Sequence, residues 1–401
     1  MVKDFSNVPV DKTITNNTGN KIVIDLRDIL QIPVEIEDGD SLSIRIKTSE
    51  GLAILTHKVE ELGLELGENT IEVATDEEFA EAIDNLEDGA VILLENDINY
   101  SNKDLVLDKN VTINLTNSTL NLGNKLLAVT GDVIINGEDG KITSTNTNEA
   151  VVIDDGGKLT LNGGTIESTK LYGIMIDGTS ELVVNGGTIH SKDSCIGSNN
   201  TTVIDSTITI NGGELTSDTD AVMYLAGPNT TTINGGTLNG GISARMGTIT
   251  VNGGTINSIT GDNDLIENYY NYSGNVWLGD AVASMAGTYT SKNPNKTNEL
   301  NITINGGTIN GLCEGCSPVT VYNLGVVEQD INVTIKDEAN LVRNDETQPY
   351  YKTRPATDIV KSTAKDYAKY TAVTNTITED IADKYKTETV IDGDDEVDDE
   401  I

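Results

Sequence analysis

The chain has 401 residues and carries 26 Lys and Arg against 64 Asp and Glu, a formal net charge of −38. That balance excludes a nucleic-acid binder and a binder of anionic membranes, since both need clustered cations. Aromatic residues make up only 4 %, so the core has to be assembled from small and β-branched side chains in a regular frame.

The opening Met1-Val2-Lys3-Asp4-Phe5-Ser6 lacks the apolar run of a signal peptide, so synthesis in a cytoplasm is expected. Residues 1–73 alternate like short strands at Ile22-Val23-Ile24, Val34-Glu35-Ile36 and Leu42 to Ile46, with Asp38-Gly39-Asp40 as a turn. This segment reads as a small β module that attaches the chain to something larger. The alternative is an extension of the first repeat. Next, Thr75-Asp76-Glu77-Glu78 has the form of a capping box. Phe79, Ile83 and Leu86 follow at helical spacing, which predicts a helix over about 76–87 that Gly89 can end. Ala90 to Leu94 is a short apolar strand. An amphipathic helix there would cover the open end of whatever stack follows.

The central region is a repeat. Six times the chain reads apolar-x-apolar-Asn-Gly-Gly-x-apolar: Leu159 to Ile166, Leu182 to Ile189, Ile208 to Leu215, Thr232 to Leu238, Ile249 to Ile256 and Ile302 to Ile309. A worn copy is Ile134-Ile135-Asn136-Gly137. The asparagines are Asn136, Asn162, Asn185, Asn211, Asn234, Asn252 and Asn305, in steps of 26, 23, 26, 23, 18 and 53 residues. The last step is close to two ordinary ones. Three residues alternating in-out-in make a very short strand, and Asn-Gly-Gly lets the backbone turn through positive φ. Such a period suits one coil of a solenoid whose coils stack at ~4.8 Å, with the equivalent asparagines forming a ladder. A set of hairpins also uses Asn-Gly turns, but it predicts longer flanking strands and gives no reason for six identical turns. The fold class is therefore all-β, a right-handed parallel β-helix.

The run from Phe79 and Ile83 through Gly89-Ala90-Val91-Ile92-Leu93-Leu94, then Leu105 to Leu122, then the Asn-Gly-Gly-Thr coils, resembles the pectate-lyase-like right-handed parallel β-helix superfamily over about residues 74–335. The resemblance is specific for fold and weak for function. That superfamily holds polysaccharide lyases and hydrolases, surface adhesins, and spike and fibre proteins of tailed bacteriophages.

Beyond residue 335 the motif is lost, and an irregular or partly helical region is expected over 336–401. Nine of the 26 cations fall within 336–386, and Val373, Ile377, Ile381 and Tyr385 recur at i+4, a modest helix signal. The tail from Asp392 to Glu400 has seven carboxylates and no cation. It reads as a solvated end or as a contact for a basic partner.

Chemistry is sparse in the coils. His190 occupies the slot that Glu167, Thr216, Asn239, Asn257 and Asn310 take in sister coils, an outward repeat position. The superfamily's lyases need a carboxylate cluster for Ca²⁺ and a basic residue, yet Arg245 is the only arginine in the coils and has no acidic neighbour in its coil. Asp154-Asp155, and Asp218 with Asp220, lie at turns and do not make the paired carboxylates of a glycosidase. Cys313-Glu314-Gly315-Cys316 has redox or zinc spacing without a second pair of ligands, and Asp262-x-Asp264 is too short for a calcium loop. No catalytic residue, metal or cofactor is expected. The binding signal lies in the long step: Tyr269, Tyr270, Tyr272, Trp277 and Tyr289 put five of 16 aromatics into 21 residues, beside Asp262, Asp264, Glu267 and Asp280. Exposed rings stack on sugars and carboxylates accept their hydroxyls. The same rings can pack under their own insertion or against a neighbouring subunit.

These features resemble a virion protein of a tailed phage: a head fibre, decoration protein or tail appendage, made in the host cytoplasm without a signal peptide and attached to capsid or other virion proteins through residues 1–73. A cell-surface glycan is an expected ligand, and a homo-oligomer, with a trimer as one form, an expected assembly. No nucleic acid or membrane insertion is expected. A polysaccharide-active lyase or hydrolase and a bacterial surface adhesin are the alternatives.

Overall fold

The computed structural model describes residues 69–137, 139–198, 206–219, 221–258, 281–284, 299–312, 317–323, 328–344, 346, 348–355 and 375–386, and the backbone of 41–48 and 51–58. It is a parallel β-helix. Three long parallel sheets run its length, one of twelve strands and two of ten. Sheet 1 starts at Thr70–Val73 and ends at Thr376–Ile381; sheet 2 runs from Ile98–Asn99 to Asn340–Arg343; sheet 3 runs from Leu105–Leu107 to Tyr351–Pro355. Each coil visits sheets 1, 2 and 3 in turn, as in Lys158–Leu161, Thr165–Ser168 and Tyr172–Ile176.

Alternation decides which side chains face inward. In that coil Leu159, Leu161, Ile166, Ile174 and Ile176 are all fully buried, and the same positions above and below are aliphatic except for the buried Ser198 above Ile176. Full burial of each contributes about 1.5–3 kcal/mol. In-register pairing, such as Leu159↔Leu182 and Ile166↔Ile189, stacks them in columns. The aromatic members of the core are Phe79, Tyr100 and Tyr385, which lie at its two ends. Stacked coils leave room between them for aliphatic branches, while rings close the ends.

At the N-terminal end the helix is Asp76–Asp84, capped by Thr75. The Glu78 amide donates to Thr75 Oγ1 at 3.2 Å, and Glu78 Oε2 accepts from the Thr75 amide at 3.1 Å. Phe79 is fully buried and meets Tyr100 edge-on with centroids 5.3 Å apart. The helix stops at Asn85, earlier than expected; Gly89, at φ +80, serves the turn into Ala90–Leu94 instead.

The Asn-Gly-Gly turns lie at the corner between sheets 1 and 2. At Gly212 a Cβ would sit 2.6 Å from the Asn185 carbonyl oxygen of the coil before, and Gly213 has φ +85. The first glycine is thus required by close approach of coils and the second by its backbone conformation. The asparagines form the expected ladder. Each Nδ2 donates to Oδ1 of the coil before, at 2.8–2.9 Å, through Asn136, Asn162, Asn185, Asn211, Asn234, Asn252 and Asn305. One further rung precedes them: Asn136 donates to Asn114 at 2.9 Å. There Leu115 and Thr116 replace the glycines, and Thr116 itself adopts φ 51.

Three expectations are corrected. The 53-residue step is one coil, because Asn305 bonds directly to Asn252; the extra length is inserted on both sides of Val282–Ser284. The coils do not stop at 335. Asn340–Arg343, Tyr351–Pro355 and Thr376–Ile381 continue sheets 2, 3 and 1 without the motif, and Thr70–Val73 starts sheet 1 before residue 74. The i+4 pattern at Ile377, Ile381 and Tyr385 is not helical. Thr376–Ile381 pairs in register with Asp330–Ile335, and only a short 3-10 turn, Asp383–Tyr385, follows. Pairing with an available strand edge outweighs a weak local pattern. Tyr385 closes this end: its hydroxyl accepts from the Leu341 amide at 3.2 Å and donates to the Ala339 carbonyl.

In the N-terminal segment, Ser41–Thr48 contains the expected strand at 42–46, and it pairs antiparallel with Gly51–Lys58. The strands expected at 22–24 and 34–36 and the acidic tail lie outside the described residues.

Candidate functional site

Every coil offers three outer faces, and their side chains differ. On sheet 3, Met175, Gly197, Tyr224 and Ser243 are register partners on the side away from the core, yet Tyr224 and Ser243 are almost fully buried. The Arg245 guanidinium, 2 % exposed as a residue, lies 5.2 Å from the Tyr224 ring centroid, a cation–π distance. Gln329 Nε2 donates to the Arg245 carbonyl at 2.6 Å. At the start of Glu149–Ile153, the third strand of this sheet, Glu149 has its carboxyl raised above the ordinary range, first by desolvation and then by the charge of Asp177.

The segments that leave from or return to sheet 3 include 259–280 and 285–298, on either side of Val282–Ser284. All nine ligand candidates of the long step, Tyr269, Tyr270, Tyr272, Trp277, Tyr289, Asp262, Asp264, Glu267 and Asp280, lie outside the described residues. So do Cys313 and Cys316. Cys195 is fully buried, and desolvation pushes its thiol up to about 12, so it is a packing residue and not a nucleophile.

Charged side chains of the middle coils lie on sheet 2, and on sheet 1 Lys158 pairs with Glu181 at 3.2 Å. His190 stacks between Glu167 and Thr216, in the repeat slot expected for it. It also has a partner the repeat did not reveal: Nε2 lies 2.9 Å from Asp218 Oδ1, and Lys192 Nζ is 3.6 Å from the other oxygen of that carboxylate. All three are about half exposed, so the contacts add little stability. Among the described residues, no group of three His, Cys, Asp or Glu could hold a metal ion.

The face of sheet 1 and the adjoining part of sheet 2 are different again. In three consecutive coils, apart from Glu299 where the third enters sheet 1, the outward residues are Thr230, Thr232, Asn234, Thr237 and Asn239; Thr248, Thr250, Asn252, Thr255 and Asn257; and Asn301, Thr303, Asn305, Thr308 and Asn310. These fifteen positions are eight threonines and seven asparagines, without one charge, in a chain of which 22 % is charged. All are exposed or half-exposed. Six of the asparagines are locked in two ladders, the corner one and a second on sheet 2, where Asn257 donates to Asn239 at 2.8 Å and Asn310 to Asn257 at 2.7 Å, and Asn301 accepts from Asn332 Nδ2 at 2.8 Å. The hydroxyls of Thr230, Thr232, Thr248, Thr250 and Thr303 have no hydrogen-bond partner among the described residues. β-branching restricts χ1, so these hydroxyls stand in fixed rows. The sequence motif pointed to the asparagines as turn formers; the threonine rows become visible only once the coils are in register.

No protein-family model matches this chain, and no curated protein or solved structure matches it. Its chemistry is therefore read from its own surfaces.

Proposed function

We propose that the chain is a structural part of a tailed-phage virion, a head fibre, decoration protein or tail appendage. In this reading residues 1–73 attach it to capsid or other virion proteins, and the solenoid projects outward to meet host-surface glycans. The observation that supports it is the shape: twelve strands of sheet 1 in one stack make a rod of about 50 Å at ~4.8 Å per coil. Capping rings at both ends suit a body that stands alone. The similarity to the pectate-lyase-like superfamily, which includes phage spikes and fibres, points the same way by analogy. The aromatic segment 269–289, joined to both ends of Val282–Ser284 in sheet 3, is the glycan-contact candidate of this reading.

The test is location. Mass spectrometry and labelled electron microscopy of purified particles should find the chain on them, and removal of residues 1–68, which spares the first solenoid strand Thr70–Val73, should leave a folded solenoid that no longer joins. Absence from the particles, or incorporation that ignores the deletion, overturns the reading. Changing Tyr270 and Trp277 to Ala should leave incorporation normal and abolish glycan binding.

A further inference from the structure

We infer that the core of the solenoid binds one buried water molecule, held by Asn229, Thr231 and Ser198 where two stacked coils interrupt the aliphatic columns. The inference does not depend on the virion reading.

The columns show where the interruption lies. On sheet 1 an inward column reads Leu159, Leu182, Ile208, Thr231 and Ile249. On sheet 3 another reads Ile153, Ile176, Ser198 and Leu225. Thr231 and Ser198 are both fully buried. Each sets a hydroxyl where its neighbours set hydrocarbon, and the serine is also shorter than the isoleucine beside it.

Asn229, 2 % exposed, reaches into this break from the corner that leads into Thr230–Ile233. Its Nδ2 donates to Ser198 Oγ at 2.8 Å and to the Gly227 carbonyl at 3.2 Å. A carbonyl only accepts, so the nitrogen of the amide, and not its oxygen, has to face Gly227. The remaining oxygen, Oδ1, has no partner within the protein, and neither has Thr231 Oγ1. The corner itself does not strand polar groups. One coil earlier Ser206 occupies the position of Asn229, and its Oγ donates to the Gly178 carbonyl at 2.7 Å and accepts from the Ser180 amide at 3.3 Å. The two orphans therefore belong to the break in the columns. A buried acceptor without a donor keeps its full desolvation cost, which a bound donor removes.

Water is the donor that fits. Asn229 and Thr231 are two residues apart on one inward face, about 7 Å between Cα atoms, a separation that one water spans between the side chains. The water donates one hydrogen to Asn229 Oδ1 and pairs with Thr231 Oγ1, which can donate or accept. Ser198 Oγ accepts from Asn229 and keeps its own hydrogen for the water. Three partners are the usual number for a buried water. A hard cation takes about 6–8 oxygens, more than these three neutral groups offer. So bound, the water joins the coil of Ser198 to the next coil at the point where hydrocarbon contact is lost.

The experiment uses the full chain. A high-resolution crystal structure should show one ordered water within hydrogen-bond distance of both Asn229 Oδ1 and Thr231 Oγ1. Thr231→Val then replaces the hydroxyl by a methyl group of similar size. With the water in place this breaks a hydrogen bond, and the folding equilibrium constant should fall about fivefold, the equivalent of ~1 kcal/mol for one bond, read as a lower guanidinium midpoint at unchanged slope. In a dry site the same change removes an unpaired buried hydroxyl and raises the midpoint. A midpoint that rises or stays where it is overturns the inference. So does a crystal in which the two oxygens meet no water, or meet a cation ringed by further oxygens. The crystal of the parent chain decides by itself should the valine variant fail to fold.

Discussion

Asn211 is an interior rung of the corner ladder, and its removal measures what the ladder contributes. Its Nδ2 donates to Asn185 Oδ1 at 2.8 Å, and its Oδ1 accepts from Asn234 Nδ2 at 2.9 Å. Asn211→Ala loses both bonds. At a net of ~1 kcal/mol for each side-chain hydrogen bond, the cost is about 2 kcal/mol. Asn305 is the control. Among the described residues its side chain bonds only to Asn252, at 2.9 Å, because Lys336 follows Ile335 where the next asparagine would stand. Asn305→Ala should therefore cost about 1 kcal/mol. Both residues precede Gly-Gly in the same turn, so differences in turn preference largely cancel between the two substitutions. The assay is guanidinium denaturation of the full chain followed by circular dichroism, with the midpoint and slope both recorded, since a long stack can lose coils in steps. Equal costs at the two positions, or an Asn211→Ala cost below ~0.5 kcal/mol, would show that solvent satisfies the amides as well as their neighbours do.

Phe79→Asp should cost at least ~3 kcal/mol, the lower end for losing a buried ring, with the added charge making it worse; a calorimetric melting temperature equal to that of the parent chain would refute the end-capping role. Gly212→Ala should lower the denaturation midpoint, because its Cβ would lie 2.6 Å from the Asn185 carbonyl oxygen; unchanged stability would mean that the coils separate easily at this corner. In a chain with Cys313 and Cys316 changed to Ser, Cys195 should resist maleimide at neutral pH until the chain unfolds, given a thiol at about 12; rapid labelling of the folded chain would contradict its burial. Glu149 binds its proton more tightly in the folded chain than in the unfolded one, where its value is 4.5. Its stabilising contribution is therefore complete below 4.5 and is lost as pH rises through the higher folded value. Glu149→Gln should raise stability at pH 7 relative to the parent and not at pH 4; a parallel shift at both values would rule out this titration.

The sequence alone determined the coil and the cap. Asn-Gly-Gly is legible because it states a backbone requirement at the positions themselves: a polar residue followed by two glycines, one for close approach and one, such as Gly213 at φ +85, for a left-handed turn. Thr75 to Glu78 is legible for the same reason, since a capping box closes within four residues. Tertiary structure decided what depends on neighbours distant in sequence. Asn114 joins the ladder although Leu115 and Thr116 follow it, because Asn136 is held above it by pairing of the strands. Asn252 and Asn305 became adjacent rungs across 53 residues, which no local spacing reveals. Ile377 and Ile381 took a strand in place of a helix because Ile331 and Ile335 offered an edge in register. The uncharged face belongs to the same class: Thr232, Thr250 and Thr303 are ordinary residues in the chain and form a row only when parallel pairing fixes one coil above the next.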